Sequence, residues 1–222
     1  MRFLNHNIEL AIFDLDGTLI ESTGIWAEVD TKFFHKRHME LPKTYAQDIA
    51  HVGLKEAARI TKVKYLPNEN EENIIQEWFG YTKQAYDEEI MLKPHAKEVL
   101  DFFKNNGVHI ALATVNHRDL YLKCLQRLGI FDYFEFMIDV DGAPDGKSTT
   151  EIYDIVKDHF NVDKSEVIIF EDALSPIRVA SEKYLVIGVY DEHSCKDKIA
   201  HKNACHYQVD DLSEILKLKE KN

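Results

Sequence analysis

Short apolar runs recur along the chain and predict the strands of a buried sheet. Each run ends in polar residues, and helix-length segments separate one run from the next. The clearest runs are residues 8–13 (IELAIF), 108–113 (VHIALA), 167–170 (VIIF) and 185–189 (LVIGV). This alternation predicts an α/β fold with a doubly wound, Rossmann-like parallel sheet that carries helices on both faces. One of these helices is predicted from Pro94 to Asn106, with Gly107 as its stop.

Residues 21–91 interrupt this alternation. Ile25, Val29 and Phe33 recur every four residues, and a second apolar series runs from Ile74 to Tyr86. The stretch is therefore predicted to be amphipathic helix throughout. It forms a predicted helical domain over residues 21–91, inserted after the first strand of a core made of residues 1–20 and 92–222. The two crossings, near residues 21–24 and 91–94, are expected to lie close together and to form a hinge.

Composition and charge exclude some classes of partner. The chain has 222 residues, with 27 Lys and Arg against 39 Asp and Glu, a formal net charge of −12 that argues against nucleic acid and acidic membrane surfaces. Its apolar runs are shorter than the ~20 residues of a membrane span, and its first ten residues lack the apolar core of a secretion signal. We therefore expect a cytoplasmic protein with no membrane partner.

The cysteines and histidines near the C-terminus are residue types that can bind zinc. An odd total of three cysteines without a CxxC pair favours reduced thiols. The candidate ligands within fourteen residues are His193, Cys195, His201, Cys205 and His206. The paired spacing of structural zinc sites is missing, so a polar surface loop and a helix rich in His and Lys are the prediction here.

Two acidic residues follow the first predicted strand, in the sequence Asp14-Leu15-Asp16-Gly17-Thr18. Open α/β sheets bind ligands at this end of their strands, and two carboxylates two residues apart can point into one crevice. A carboxylate nucleophile, a second carboxyl group as acid and base, and a magnesium ion can together move a phosphoryl group. An Asx-type turn in which Gly17 takes a positive φ is the structural alternative.

Together with three later segments, this motif resembles the haloacid dehalogenase superfamily of phosphotransferases over nearly the whole chain. The matching segments are residues 10–22 (LAIFDLDGTLIES), 110–114 (IALAT), 146–147 (GK) and 168–172 (IIFED), in the order of the family's four motifs. The helical insert resembles the cap of the β-phosphoglucomutase-like and phosphoglycolate-phosphatase-like members. The resemblance implies a catalytic core with a helical cap.

The resemblance also implies a role for each matched residue. Asp14 would attack phosphorus and form an aspartyl-phosphate, and Asp16 would act as general acid and base. Thr114, with the backbone N–H groups that follow it, would hold the phosphate oxygens, and Lys147 would neutralise charge.

A magnesium ion and a substrate complete the implied site. Mg²⁺ would bind the Asp14 carboxylate, the Asp16 backbone carbonyl and Asp172, with Glu171 as a further ligand or as a neighbour of the ligands. The residues expected to contact the substrate are Gly17, Thr18 and Asn116 of the core and Lys55 of the cap, with Arg118 a weaker candidate.

The expected activity is hydrolysis of a small phosphorylated metabolite, such as a sugar phosphate, by a monomer. In β-phosphoglucomutase-like enzymes a cap Gly is followed three residues later by an Arg that binds a second phosphate, and here Gly53 is followed by Glu56. This disfavours a mutase, although Lys55 or Arg59 could substitute. The presence of Asp16 disfavours a dehalogenase. The alternatives that stay open are a sugar-phosphate mutase and a non-catalytic regulatory protein.

Two positions depart from the family's pattern. Ser148 follows Lys147 where the family has a proline, and Ser175-Pro176 replaces the glycine that usually follows the acidic pair. Pro176 is tolerated as a first helical residue, so the helix there is predicted to begin slightly differently.

Overall fold

The computed structural model describes residues 1–49, 54–143 and 145–218. These residues divide into two compact units. One consists of Met1–Thr23 and Ile90–Asn222, and the other of Gly24–Glu89. We call them the core unit and the helical unit, and each is described by itself.

The core unit is built on a parallel sheet, which confirms the predicted α/β fold. Within the described residues the sheet has six strands in the order β5-β4-β3-β6-β7-β8, and a short antiparallel pair, β1-β2, precedes it. The strands are β1 (Arg2–Phe3), β2 (His6–Asn7), β3 (Leu10–Phe13), β4 (His109–Ala113), β5 (Phe136–Ile138), β6 (Val167–Glu171), β7 (Leu185–Val189) and β8 (Tyr207–Val209). The first predicted run, residues 8–13, therefore matches β3 in its last four residues, and residues 8 and 9 connect β2 to β3.

Alternate side chains of the central strands enter two different layers of the core. Leu10 and Ile12 of β3 pack in a buried cluster with residues from the helices that follow β5 and β6. On the opposite face Phe13 stacks on Phe170 with ring centroids 4.4 Å apart, and Phe103 lies edge-on to both rings. Both faces of the sheet are thus covered, which is why these strands read as continuous apolar runs.

Helices from both units complete the described elements. In chain order they are α1 (Ile25–His35), α2 (Tyr45–Asp48), α3 (Leu54–Lys64), α4 (Glu71–Gln84), α5 (Ala96–Asn105), α6 (Arg118–Arg127), α7 (Glu151–Phe160), α8 (Leu174–Ser181), α9 (Lys198–Ala204) and α10 (Ser213–Leu218).

Two predicted helix starts in the core unit were wrong by two residues. Helix α5 begins at Ala96 and not at Pro94, because His95 has a left-handed φ of 65° that interrupts the helical backbone. Helix α8 begins at Leu174, so Pro176 is its third residue and not its first. Proline is accommodated there because the first N–H groups of a helix have no intrahelical acceptor. Gly107 does end α5, with a φ of 72°.

The helical unit contains α1 to α4 and a π-helical turn at Ala85–Glu89. Ile25, Val29 and Phe33 are buried on one side of α1, as their spacing predicts. The prediction of helix throughout was wrong, since non-helical segments separate α1 from α2 and α3 from α4. Thr44 and Asn70, residues that favour helix starts, precede α2 and α4 there.

The segments that leave and re-enter the core unit run side by side. Glu21 N donates to Met91 O at 2.9 Å, Lys93 N donates to Leu19 O at 2.9 Å, and Ile20 and Leu92 form an antiparallel bridge. In the part of the chain described, none of the helices has the length and apolar character needed to cross a membrane.

Candidate active site

The acidic and polar residues singled out in the sequence gather where the central strands end. Asp14 directly follows β3, Thr114 directly follows β4, and Glu171 and Asp172 lie at the end of β6. These three strands are parallel neighbours, so their carboxyl ends meet at one edge of the sheet. The chain continues from β3 to β4 on one side and later returns to place β6 on the other side of β3, so the strand order reverses here. Open α/β sheets usually bind their ligands at such a point.

Lys147 joins two of these carboxylates. Its ammonium group donates to Asp14 Oδ1 and, at 2.6 Å, to Glu171 Oε2. The side chain is only 3% exposed, so its charge is balanced by these carboxylates and not by water. Gly146 directs the lysine inward from a turn with a φ of 56°, a conformation that favours glycine.

Glu171 and Asp172 are held by different sets of donors. The backbone N–H of Ala173 donates to Glu171 Oε1 at 3.1 Å. Thr18 Oγ1 donates to Asp172 Oδ1 at 3.3 Å, and Ser194 Oγ donates to Asp172 Oδ2. Both carboxylates are therefore oriented before any ligand binds.

Gly17 provides the space that Asp172 occupies. Its φ is 82°, and a Cβ built on it would lie 2.1 Å from Asp172 Oδ2 and 2.7 Å from Thr23 Cγ2. Both the backbone conformation and the close approach exclude a larger residue. The positive φ expected of an Asx-type turn is present, but it coexists with the carboxylate cluster and does not replace it.

Asp16 has a separate environment from Asp14, although only Leu15 lies between them. Ser22 Oγ donates to Asp16 Oδ1 at 2.6 Å, and Asn116 Nδ2 donates to Asp16 Oδ2 at 3.1 Å. Both partners are neutral, whereas Asp14 contacts the charged Lys147. Within one loop, the Asp14 carboxylate is thus paired with a cation, whereas the Asp16 carboxylate accepts hydrogen bonds from neutral groups.

The buried charges perturb one another. Burial and the neighbouring Glu171 raise the pKa of Asp14 to about 7, against the opposing effect of Lys147. Burial, Glu171 and Asp14 raise the pKa of Asp172 well above its ordinary value. Burial lowers the pKa of Lys147, but Asp14 and Glu171 outweigh it, and the net effect is a pKa above the ordinary lysine value.

This excess of buried negative charge fits a bound cation. Among the described residues, three metal-ligating side chains come together in one cluster, which consists of Asp14, Glu171 and Asp172 and has its ligand atoms within 4.8 Å of one another. Three carboxylates face one ammonium group, and their oxygens are the ligands that Mg²⁺ prefers. The Asp16 side chain is not a member of this cluster.

A match to the family model for haloacid dehalogenase-like hydrolases extends over residues 11–186, from β3 into β7, and so includes every residue of the cluster. The chain belongs to the haloacid dehalogenase-like hydrolase family. Its sheet, with α1 to α4 inserted after β3, is the family's fold. The resemblance stated from the four motifs is confirmed.

Relatives and solved structures agree with this membership. The chain is 29% identical to the phosphorylated carbohydrates phosphatase of Thermotoga maritima, covering 86% of this chain and 88% of the relative. It is 24% identical to the phosphoglycolate phosphatase of Nitrosococcus oceani, covering 78% and 79%. The crystal structure of a Thermotoga maritima protein provisionally assigned as a β-phosphoglucomutase superposes with a TM-score of 0.84 at 27% identity, covering 97% of this chain and all of the other.

The residues predicted to contact the phosphate or the substrate from the segment after β4 differ in their burial and in their partners. Thr114 is fully buried, and its Oγ1 accepts from the N–H of Asn116 at 3.1 Å, so that N–H already has a partner. Asn116 reaches Asp16, whereas Arg118 is exposed at the start of α6.

The cap candidates lie in the helical unit. Lys55 is exposed in α3, and its contact with substrate stays a prediction. Arg59, which could substitute for the family's cap arginine, donates to both oxygens of Glu56, at 2.6 and 2.8 Å, and is therefore paired with an acidic residue. Gly53 lies outside the described residues.

The histidine and cysteine segment near the C-terminus corrects one expectation. His201 and Cys195 are buried and are not part of a polar surface. His201 Nε2 donates to the backbone carbonyl of Asp172 at 3.0 Å, and its Nδ1 accepts from Gln208 Nε2 at 2.8 Å. Both ring nitrogens of this histidine are therefore used within the core unit, and burial lowers its pKa.

Sequence reasoning missed several residues that contact the acidic groups. They are Ser22 at Asp16, Ser194 at the Asp172 side chain and His201 at the Asp172 carbonyl. Ser22 lies in the first motif and could have been weighed as a partner of Asp16. Ser194 and His201 lie beyond β7 in segments with no local signal of this kind.

Proposed function

We propose that this hydrolase is a magnesium-dependent phosphatase that acts through an aspartyl-phosphate on Asp14. One observation carries the proposal. Asp14 lies at the end of the central strand, in a buried cluster with Lys147 and two further carboxylates, while Asp16 beside it is held by neutral partners. A nucleophile and an acid-base group need this division of environments.

The first step transfers the phosphoryl group to the protein. A carboxylate oxygen of Asp14 bonds to phosphorus as the bond from phosphorus to the leaving oxygen breaks, and Asp16 gives its proton to that oxygen. Ser22 and Asn116 hold the two oxygens of Asp16 so that its proton is delivered in a fixed direction.

The second step releases phosphate. Asp16 takes a proton from water as the water oxygen bonds to phosphorus, and the bond from phosphorus to Asp14 breaks. Thr114 contacts the phosphate oxygens, and Lys147 stabilises the charge that returns to Asp14. Gly17 and Thr18, in the loop that follows Asp14, would contact the phosphoryl group.

Asp14, Glu171 and Asp172 would hold Mg²⁺, together with the backbone carbonyl of Asp16. When bound, the ion supplies positive charge that stabilises the transferring phosphoryl group. The preference for magnesium follows from the donor set, which is made of carboxylate and carbonyl oxygens without thiolate or imidazole.

The substrate class we propose is a small phosphorylated metabolite, with sugar phosphates first. Relatives that act on phosphorylated carbohydrates and on phosphoglycolate, by their names, support this choice. We further propose that residues 21–91 act as the family's cap, that the enzyme is a monomer, and that it acts in the cytoplasm, where its three thiols stay reduced.

A sugar-phosphate mutase is the second candidate, favoured by the close superposition on the Thermotoga maritima structure. Against it, Glu56 follows Gly53 by three residues in the sequence, where mutase-like members have an arginine, and it forms an ion pair with Arg59. Supplying a hexose bisphosphate with a sugar 1-phosphate distinguishes the two, since a mutase yields the isomeric sugar phosphate and a phosphatase yields inorganic phosphate.

The test is phosphate release from p-nitrophenyl phosphate and from a panel of phosphorylated sugars and small metabolites. We expect wild-type activity with Mg²⁺ and background activity in EDTA. Asp14→Asn should be inactive with Mg²⁺, because the amide keeps the volume but is a poor nucleophile. Asp210→Asn is the control, since Asp210 is an exposed partner of Lys198 in the same unit. Turnover by Asp14→Asn would contradict the proposal, as would an inactive wild type that binds no magnesium.

A further inference from the structure

Asp191, just after β7, receives hydrogen bonds from several parts of the core unit. Its Oδ1 accepts from Thr23 Oγ1 at 3.1 Å and from the backbone N–H groups of His193 and Ser194 at 2.9 and 3.3 Å. Its Oδ2 accepts from Lys93 Nζ at 2.7 Å. A side chain with this many donors has a single orientation, and Asp191 is only 10% exposed.

Two of these donors belong to the paired segments that lead out of the core unit and back into it. Thr23 is the last core residue of the outgoing segment, and Lys93 lies on the returning one. Lys93 is also largely buried, at 14% exposed, so this ion pair is protected from solvent screening. Burial raises the pKa of Asp191, but Lys93 and the hydrogen bonds from His193 and Thr23 outweigh it and hold this pKa below its usual range.

The other donors fold the loop that begins at Asp191. The contacts of Oδ1 with the backbone of His193 and Ser194 form an Asx-type turn, and Cys195 N donates to the Asp191 carbonyl at 3.0 Å. This turn fixes the backbone at Ser194, whose hydroxyl donates to Asp172 Oδ2. A continuous chain of contacts therefore runs from the paired segments, through Asp191 and Ser194, to Asp172.

We propose that Asp191 is a positioning residue for Asp172, and that it acts by holding the loop from which Ser194 orients this carboxylate. The inference rests on the proposed function, in which Asp172 is a metal ligand. Lys93 and Thr23 keep Asp191 in place, so the orientation of Asp172 depends on the hydrogen bonds that these two residues of the paired segments donate to Asp191. Asp191 itself touches neither the substrate nor the ion.

Ligand carboxylates bind a metal more tightly when hydrogen bonds fix their orientation, and losing such a partner typically costs about 10–100-fold in affinity. Because Ser194 contacts Oδ2 and Thr18 contacts Oδ1, removal of Ser194 leaves Asp172 held on one side only. The effect should appear in magnesium affinity more than in substrate affinity.

The experiment measures Mg²⁺ binding to the full-length protein without substrate. Titration calorimetry gives the dissociation constant, and the Mg²⁺-dependent rise in melting temperature gives a second reading. The variants are Asp191→Ala, Ser194→Ala, the double variant and Asp191→Asn. Asp210→Ala serves as the matched surface control.

Asp191→Ala and Ser194→Ala should each weaken Mg²⁺ binding by about tenfold or more. The double variant should bind Mg²⁺ as tightly as the single variant with the lower affinity, because both substitutions remove the same interaction, the contact of Ser194 with Asp172. Asp191→Asn should bind Mg²⁺ more tightly than Asp191→Ala but less tightly than the wild type, since its amide oxygen still accepts from the loop backbone whereas its NH2 group cannot accept from Lys93. Asp210→Ala should bind like the wild type.

Several results would overturn the inference. Wild-type affinity in Ser194→Ala would do so, and this variant removes a single hydroxyl and should fold even if Asp191→Ala does not. Losses that multiply in the double variant would show that the two residues act independently. A wild type that binds no Mg²⁺ also overturns it, whereas a wild type that binds Mg²⁺ but releases no phosphate refutes the proposed function and leaves the positioning role standing.

Discussion

Replacing Lys147 by methionine should destabilise the metal-free core unit strongly. The ammonium group contacts Asp14 and Glu171, and the side chains of the three residues are between 2% and 7% exposed. Methionine keeps an unbranched apolar side chain, one atom shorter, and removes the charge. The two carboxylates would then be buried side by side without a cation.

The size of the effect follows from this burial. Removing one partner of a buried ion pair costs about 3–5 kcal/mol, because the other charge stays buried and uncompensated. For a chain of this size each kcal/mol lowers the melting temperature by about 2–4 °C. We therefore expect a decrease of about 6–20 °C in EDTA near neutral pH. At acidic pH the decrease should become smaller, since the carboxyl groups can take up protons.

Lys183→Met is the matched control. Lys183 contacts Asp154 at 3.0 Å but is 48% exposed, and an ion pair of that kind contributes about 1 kcal/mol or less. Differential scanning fluorimetry of the wild type and both variants in EDTA gives the comparison. If Lys147→Met melted as the control does, Lys147 would not be the charge that compensates the carboxylate cluster.

Three further predictions address the rest of the site. Gly17→Ala should cost more than the ~1–2 kcal/mol of a left-handed backbone, because its Cβ meets Asp172, and should abolish Mg²⁺ binding; Gly24→Ala, with open space around it and a φ of −78°, should change the melting temperature little. The raised pKa of Asp14 means that the metal-free fold binds this proton more tightly than the unfolded chain does, so its contribution to stability is present below about pH 4 and is lost as the pH rises through about 7. Urea unfolding of the wild type and of Asp14→Asn in EDTA isolates this contribution, because carboxyl groups with lowered pKa values, such as Asp154 and Asp191, change the total stability in the opposite direction. A wild type that gains stability relative to Asp14→Asn over that interval would contradict the sign. Asp16→Asn should slow both chemical steps by ~10²–10⁴ in single-turnover assays, and a loss confined to substrate affinity would make Asp16 a binding group.

The elements that sequence predicts well are those whose burial is nearly uniform. The strand predicted at residues 185–189 is β7 itself, and the run at 167–170 falls one residue short of β6, because every residue of both strands is buried. The edge strands β5 and β8 were missed, since they have three residues each and include partly or fully exposed positions. Short edge strands lack the continuous apolar signal of central ones.

The candidate site divides in the same way. The acidic residues and Lys147 were found because strand ends and motif order mark them in the sequence. Ser194 and His201 were not, since their partner Asp172 is 22 and 29 residues away and only the path of the chain after β7 brings them together. Likewise, nothing in the pattern around Asp191 indicates its contacts with Thr23 and Lys93.

The stereochemical course at phosphorus tests the central claim most directly. A phosphate ester made chiral with oxygen isotopes and sulfur would be hydrolysed by the wild type in isotopically labelled water with Mg²⁺, and the configuration of the released thiophosphate determined. Transfer to Asp14 followed by attack of water comprises two in-line displacements, so the account predicts net retention of configuration. Net inversion would mean a single displacement by water and would contradict an aspartyl-phosphate on Asp14.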